Sequence, residues 1–220
     1  MKGQTYYQST KRAYNEIAAE YFKKVKEFPP STTLMEFINT LKIGDHVIDL
    51  GCGPARNAKY FIDAGIQYSG VDFSEKAIEI ARKNNPKGIF HVSDLRSVTF
   101  PKNSTDAFIA LASLYHLSKK DFKKLLMKLY NGLKFGGQFY LVMKKGKGEE
   151  FNRDLRYENL SPKYASYYSK KELLEILKHA GFNIKKARIV SISDVHKRTM
   201  SSYQSHHAIF LWAIKKERLK

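Results

Sequence analysis

The chain has little cysteine, little acid and no long apolar run, and each shortage closes off a class of function. Its 220 residues include a single cysteine, Cys52, which excludes an internal disulfide and cannot by itself build a zinc site. No apolar stretch approaches the roughly 18 residues that a membrane-spanning helix requires. The opening segment MKGQTYYQSTKRAYNE lacks the apolar centre of a secretory signal, so a cytoplasmic protein with no membrane partner is expected. The histidines His196, His206 and His207 lack acidic or cysteine companions at ligand spacing. The last two are adjacent on an expected strand and would point to opposite faces, so no metal site is expected. No internal repeat is present. Acidic residues number 21 against 39 lysines and arginines, a formal net charge of +18. The lysines are spread along the chain, with clusters at Lys23, Lys24 and Lys26, at Lys119, Lys120, Lys123 and Lys124, and at Lys144, Lys145 and Lys147. Most fall on polar helix faces, which gives a solvated surface as the first reading and an RNA partner as the second.

What is present is an alternation of helical and strand patterns. At 43% hydrophobic residues, the chain is long enough for one well-buried domain and too short for two of full size. A single domain over 1–220 is expected, with a helical cap over 1–42. Tyr14, Ile17, Ala18, Tyr21 and Phe22 recur at helical spacing before Pro29-Pro30, and a short helix covers 34–41. Strands are expected at 47–50, 68–72, 88–92, 106–112, 138–143, 184–192 and 208–214. Between them, Ser74, Ser118 and Ser169 stand as helix N-caps, and Gly136-Gly137 and Gly181 end helices. Such βαβ alternation implies a mostly parallel sheet covered on both faces, with a ligand at the carboxyl ends of the strands.

Residues 47–61 read VIDLGCGPARNAKYF: an apolar strand, a glycine-rich turn and a helix start. Glycines let backbone N–H groups approach a ligand closely, and a helix start favours a carboxylate or phosphate, so the segment reads as a nucleotide-cofactor cradle. The dinucleotide pattern G-x-G-x-x-G is met at Gly51 and Gly53, but its third position is Arg56, which disfavours a nicotinamide cofactor. Asp49, two residues before Gly51, would end the strand facing the loop amides or a ligand ammonium.

An acid, one residue, then G-x-G-x-G is the first motif of the class I S-adenosylmethionine-dependent methyltransferases, which this chain resembles through Asp49, Gly51 and Gly53; Ala55 stands at the third glycine. The resemblance covers 14–183. It implies a Rossmann-like three-layer α/β/α sandwich, a seven-stranded sheet whose last strand runs antiparallel, and S-adenosylmethionine as cofactor with S-adenosylhomocysteine as product. It also implies roles. Asp72, 21 positions after Gly51, is the ribose-binding acid and Phe73 borders the adenine. Asp94 and Leu95 match the adenine motif, while Ala110 and Leu111 border the methionine portion. Cys52 and Arg56 lie within the cradle. Tyr14 and Tyr21 are expected to cover the cofactor from the N-terminal helix, where aromatic faces suit a sulfonium.

The run DAFIALASLYHL carries Ala112, Ser113, Tyr115 and His116 past the end of a strand, and His116 is the candidate general base if an amine or hydroxyl acceptor must lose a proton. Residues 144–168 form a long connection bearing Phe151, Arg153, Arg156, Tyr157, Tyr164, Tyr167 and Tyr168. Long ordered connections tend to be lids, so an acceptor pocket using Tyr115, Arg153, Tyr157 and Tyr168 is expected there. The leading expectation is methyl transfer to a small molecule; an RNA or protein acceptor is the runner-up. A non-catalytic cofactor-binding subunit or sensor is the alternative from another class.

Overall fold

The structure, a computed structural model, describes residues 2–154, 157, 161–191 and 207–216. The expected histidines His196 and His206, together with Arg156, lie outside the described residues. Five strands alternate with helices in the first two thirds of the chain: β1 (His46–Leu50), β2 (Gln67–Asp72), β3 (Ile89–Val92), β4 (Thr105–Leu111) and β5 (Leu133–Lys144). The helices are α1 (Lys2–Val25), α2 (Thr32–Ile38), α3 (Ala58–Asp63), α4 (Glu75–Asn84) and α5 (Lys119–Gly132). A two-stranded ribbon, β6 (Glu149–Asn152) and β7 (Lys163–Ser166), precedes α6 (Lys170–His179), β8 (Phe182–Ser191) and β9 (His207–Lys215).

The main sheet has seven strands in the order β3-β2-β1-β4-β5-β9-β8. β1 to β5 run parallel, and β9 is antiparallel to both of its neighbours, as the resemblance implied. The order reverses at β1, with β2 on one side and β4 on the other, which opens a crevice at their carboxyl ends.

Local chemistry sets the element boundaries. Ser31, Ser74, Ser118 and Ser169 each accept a backbone N–H three residues on, fixing the starts of α2, α4, α5 and α6. β5 departs from expectation by beginning at Leu133, inside the region that reads as helix. Gly132 ends the helix where an added Cβ would lie 2.8 Å from Phe100 Cβ, and the strand then takes in the Gly136-Gly137 pair through a register shift against β4.

Two apolar layers sandwich the sheet. Leu34, Phe37, Phe61, Ile78 and Ala81 from α2 to α4 pack on Val47, Tyr68, Ile109 and Trp212. On the other face, Phe122, Leu125, Leu129, Leu173 and Leu177 from α5 and α6 pack on Leu50, Phe108, Phe139 and Leu211. α1 belongs to neither layer. It crosses the open end of the sheet, packed against α4 and β7.

Candidate active site

The crevice at the strand ends is a cleft of about 1100 Å³, counted out to its open mouth, with α1 as its roof. The roof is built by helical spacing: Tyr7, Thr10, Tyr14, Ala18 and Tyr21 fall on one stripe of α1 and line the cleft together. α1 is held down by polar contacts at both edges. Lys11 and Asn15 meet Glu75, Asn15 Oδ1 accepts from Ser74 Oγ at 2.7 Å, and Tyr6 donates to Asp121 at 2.6 Å.

Asp49, next to last in β1, is 3% exposed. The Tyr68 hydroxyl donates to its Oδ2 at 2.5 Å, while Oδ1 has no hydrogen-bond partner. Burial raises its pKa to about 7 against the pull of that hydrogen bond. Gly51 follows with φ +73°, and an added Cβ would stand 2.4 Å from Ser113 Cβ; only glycine fits this turn. Ala55 takes a φ of +52°, the left-handed region that a glycine enters freely, so the bend survives the substitution at the third glycine position. Cys52 drops toward β2, where an added Cβ on Gly70 would lie 2.7 Å from its sulfur; burial pushes its thiol pKa well up and leaves it a filler.

Asp72 ends β2. Its Oδ2 accepts from Gly53 N and its Oδ1 from Ser74 N, both at 2.8 Å, so one carboxylate ties the glycine bend to the start of α4. Burial raises this pKa to about 6, with the backbone N–H groups resisting. Asp94, past β3, is engaged by its neighbour: Arg96 donates to Oδ1 from its backbone N and to Oδ2 from Nε. Arg96 in turn stacks on Tyr7 of α1, 4.0 Å from the ring centroid. This pairing is absent from the sequence reading, and it leaves Asp94 about one free lone-pair direction for a further donor.

At the end of β4 the chain turns through Ala112 at φ +58° into the short 3-10 turn Leu114–His116. His116 Nδ1 lies 2.5 Å from the Tyr164 carbonyl, which can only accept, so Nδ1 carries the proton. Nε2 then accepts from the Tyr14 hydroxyl at 2.7 Å. Burial pushes the His116 pKa well below the ordinary imidazole value, and the Lys163 and Lys144 charges push the same way. The imidazole is neutral, with its lone pair directed at Tyr14.

The cleft gathers Tyr14, Tyr21, Asp49, Gly51, Cys52, Gly53, Arg56, Asp72, Phe73, Asp94, Leu95, Leu111 and His116. Arg56 also donates to the Phe28 carbonyl at 2.9 Å, which ties the bend to the segment that follows α1. Five expected residues are not on its wall. Ala110 is fully buried in the core, because the cleft begins only where β4 ends. Tyr168 is fully buried against Phe122, Tyr115 is buried under Lys144, and Tyr157 packs on Ala13 and Ile17 behind α1. Arg153 is exposed. Among its described residues, the 144–168 segment supplies none of the lining. It buttresses instead: Tyr164 N donates to Thr10 Oγ1 at 3.0 Å and Ser9 donates to the Pro162 carbonyl at 2.5 Å. Tyr7, Thr10, Asn57 and Leu117 are wall residues that no motif in the sequence marks. Asn57 could have been found by its position, polar and directly after the bend.

Among the described residues no group of His, Cys, Asp or Glu could hold a metal ion, and no helix is long and apolar enough to cross a membrane. The residues present fit S-adenosylmethionine: a buried, unpartnered Asp49 oxygen, a glycine bend held open by a positive φ, and buried carboxylates under an aromatic roof suit a cationic ligand with hydroxyl donors.

Comparison with known proteins bears on the fold and the cofactor. Residues 47–137 match the family model described as a methyltransferase domain. The trans-aconitate 2-methyltransferase of Delftia acidovorans is 30% identical over 126 residues, 56% of this chain and 46% of that protein. The tRNA (carboxymethyluridine(34)-5-O)-methyltransferase of Saccharomyces cerevisiae is 30% identical over 129 residues, 58% of this chain and 44% of that protein. The chain thus spans less than half the length of these curated relatives. A crystal structure of a SAM-dependent methyltransferase from Methanosarcina mazei shares the fold with a TM-score of 0.73 at 20% identity, over 87% of this chain and 100% of that one. By the domain match over residues 47–137 and by fold, the chain is similar to the class I S-adenosylmethionine-dependent methyltransferases.

Proposed function

We propose that the protein transfers the methyl group of S-adenosylmethionine to an oxygen or heteroaromatic nitrogen of an acceptor small enough to enter beneath α1. The observation that carries this is the hydrogen-bond chain from Tyr14 through His116 to the Tyr164 carbonyl, whose first two members share the cleft wall with the Asp49 and Asp72 carboxylates. Asp49 and Asn57 would hold the amino-acid end of the cofactor, Asp72 the ribose hydroxyls, and Asp94 with Leu95 the adenine. Bound there, the cofactor supplies a methyl carbon on a positively charged sulfur, an already activated leaving group. What this chain adds is alignment and a route for the acceptor's proton.

As the acceptor's lone pair forms its bond to the methyl carbon, its own proton becomes acidic. Tyr14 accepts that proton while passing its phenolic proton to His116 Nε2, and the Tyr164 carbonyl steadies the imidazolium through Nδ1–H. His116 is a weak base in this setting. A weak base suits a hydroxyl or ring N–H, whose proton leaves as the new bond forms. It does not suit an alkylammonium, which must be deprotonated beforehand.

The acceptor group belongs either to a small molecule or to one nucleotide turned out of an RNA. The second reading draws on the net charge of +18 and on the tRNA methyltransferases among the relatives. Single-turnover assays with radiolabelled S-adenosylmethionine against carboxylate, phenol, ring N–H and alkylamine acceptors, and against tRNA, test the proposal. Turnover confined to alkylamines would overturn the proton route.

A further inference from the structure

The positive charge is unevenly placed. α5 carries five lysines and one aspartate, and neighbouring α6 three lysines and two glutamates, whereas the opposite layer of α2, α3 and α4 is balanced. The one acid of α5 is withdrawn from the surface: Asp121 accepts from Tyr6 and from Ser118. Lys119 pairs with Glu172 at 2.6 Å, and Lys128 donates to the Arg96 and Val98 carbonyls. Lys120, Lys123 and Lys124 remain, all exposed, with no ion pair among the described residues. Three and four residues apart, they form one outward stripe.

The stripe has a definite relation to the cleft. Leu117, on the cleft wall, is followed at once by the N-cap Ser118, so Lys120 stands three residues from the wall and Lys123 and Lys124 one turn further along α5. The first turn of a helix disfavours cations, yet α5 opens Lys119-Lys120 and α6, beside it, opens Lys170-Lys171. Residues that break a local rule on two helices joined by the Lys119–Glu172 pair point to a use beyond folding.

We propose that the outer face of α5 is a docking surface for the phosphate backbone of a structured RNA, so that the cleft receives one of its nucleotides. A protein partner is disfavoured because such interfaces need apolar or aromatic anchors, and α5 offers only the half-exposed Met127. RNA is favoured over duplex DNA because a base must leave its stack to pass beneath α1, and RNA loops supply bases already unstacked. The docking claim stands on the charge pattern. The clause about the nucleotide rests on the methyl-transfer reading above.

The test compares unfractionated tRNA binding by the wild type, by K120E/K123E/K124E, and by K59E/K83E/K87E, which reverses as many charges on and beside the opposite helix layer. With binding followed across a salt series, the wild type should bind at 150 mM salt with a steep salt slope. The α5 variant should bind at least about 30-fold more weakly with a slope reduced by about 3, the control within about 3-fold of wild type. Equal loss in both variants, or no wild-type binding at 150 mM salt, would overturn the proposal. S-adenosylhomocysteine titrated into the same proteins should bind all three alike. Its failure to bind the wild type would sink the methyl-transfer reading while leaving the RNA result to stand or fall separately.

Discussion

The Tyr14 hydroxyl and His116 Nε2 lie 2.7 Å apart although 102 positions separate the residues, one on α1 and one in the turn after β4. Neither is informative alone. Tyr14 on an amphipathic stripe reads as core, and His116 after a strand reads as a loop anchor. Joined, with Nδ1–H committed to the Tyr164 carbonyl, they make a directed proton acceptor.

Removing that acceptor should slow chemistry more than binding. Tyr14→Phe and His116→Asn are each expected to lower single-turnover rates by about 10²-fold, the lower end of general-base effects. Calorimetry should find S-adenosylhomocysteine affinity changed by less than about 3-fold. The double variant should be no slower than either single, since the two act as one unit. Activity should depend on neutral imidazole. Because burial holds its pKa well below the ordinary value, the rate should stay level through neutral pH and fall only as acid protonates His116. A rate that instead tracks a group titrating above pH 7 would reassign the base.

The cleft carboxylates should make the free protein less stable as pH rises, the reverse of the usual carboxylate behaviour. Asp49 at about 7 and Asp72 at about 6 lie above their unfolded values near 3.8, so the folded state binds more protons between pH 4 and 7. Stability from this source is present below pH 4 and is lost as pH climbs through 6 and 7, by up to about 1.4 kcal/mol per pH unit for each group. Asp49→Asn keeps an acceptor for Tyr68 and removes the buried charge, so at pH 8 it should raise free-protein stability by on the order of 1–3 kcal/mol. Binding of the cationic cofactor should strengthen over the same pH window in wild type and strengthen less in Asp49→Asn. Denaturant titrations at pH 5, 6.5 and 8, with and without S-adenosylmethionine, read both effects.

Much of this was legible because it is local. The bend at Gly51 and Gly53, the acids near the carboxyl ends of β1 and β2, and the serine caps are each encoded within a few residues, and alternation reveals the sheet. The reversed last strand came from the family resemblance. What was hidden depends on distant approach. α1 brings Tyr7 and Thr10 to the wall because Asn15, Lys11 and Tyr6 find partners on α4 and α5, contacts that no periodicity reveals. The 144–168 segment looked like a lid because it is long and aromatic. Yet among its described residues Tyr168 and Ala165 join the α5 and α6 layer, and the Tyr164 carbonyl orients His116. Ala110 falls one residue short of the wall, since β4 stays buried until its last residue, Leu111, reaches the cleft.

The bend itself has a sharp steric test. Gly51→Ala meets both a left-handed φ and a Cβ placed 2.4 Å from Ser113 Cβ. The backbone alone should cost about 1–2 kcal/mol, and the clash should add about 1–3 kcal/mol. Ser113→Gly in the same chain relieves the clash and not the φ, so the double variant should recover roughly half of the lost stability in thermal unfolding. Full recovery would show that the positive φ imposes no strain.

Asn57 gives the most discriminating binding experiment. It is 7% exposed, stands at the N-cap of α3 without capping it, and keeps Oδ1 without a hydrogen-bond partner on the cleft wall. A buried acceptor in that state destabilises the free protein, by about 1–3 kcal/mol when nothing satisfies it. Asn57→Leu should therefore leave the free protein as stable as wild type or more so, while weakening S-adenosylhomocysteine by about 10-fold through loss of a hydrogen bond to a charged group. A deaminated analogue, which lacks the ammonium, should bind both proteins alike. Asn57→Asp separates the two ends of the amino acid: affinity is kept if the side chain meets the ammonium, and falls steeply if it meets the carboxylate. Unchanged S-adenosylhomocysteine affinity in Asn57→Leu would remove Asn57 from the site and leave Asp49 as the acceptor for the amine.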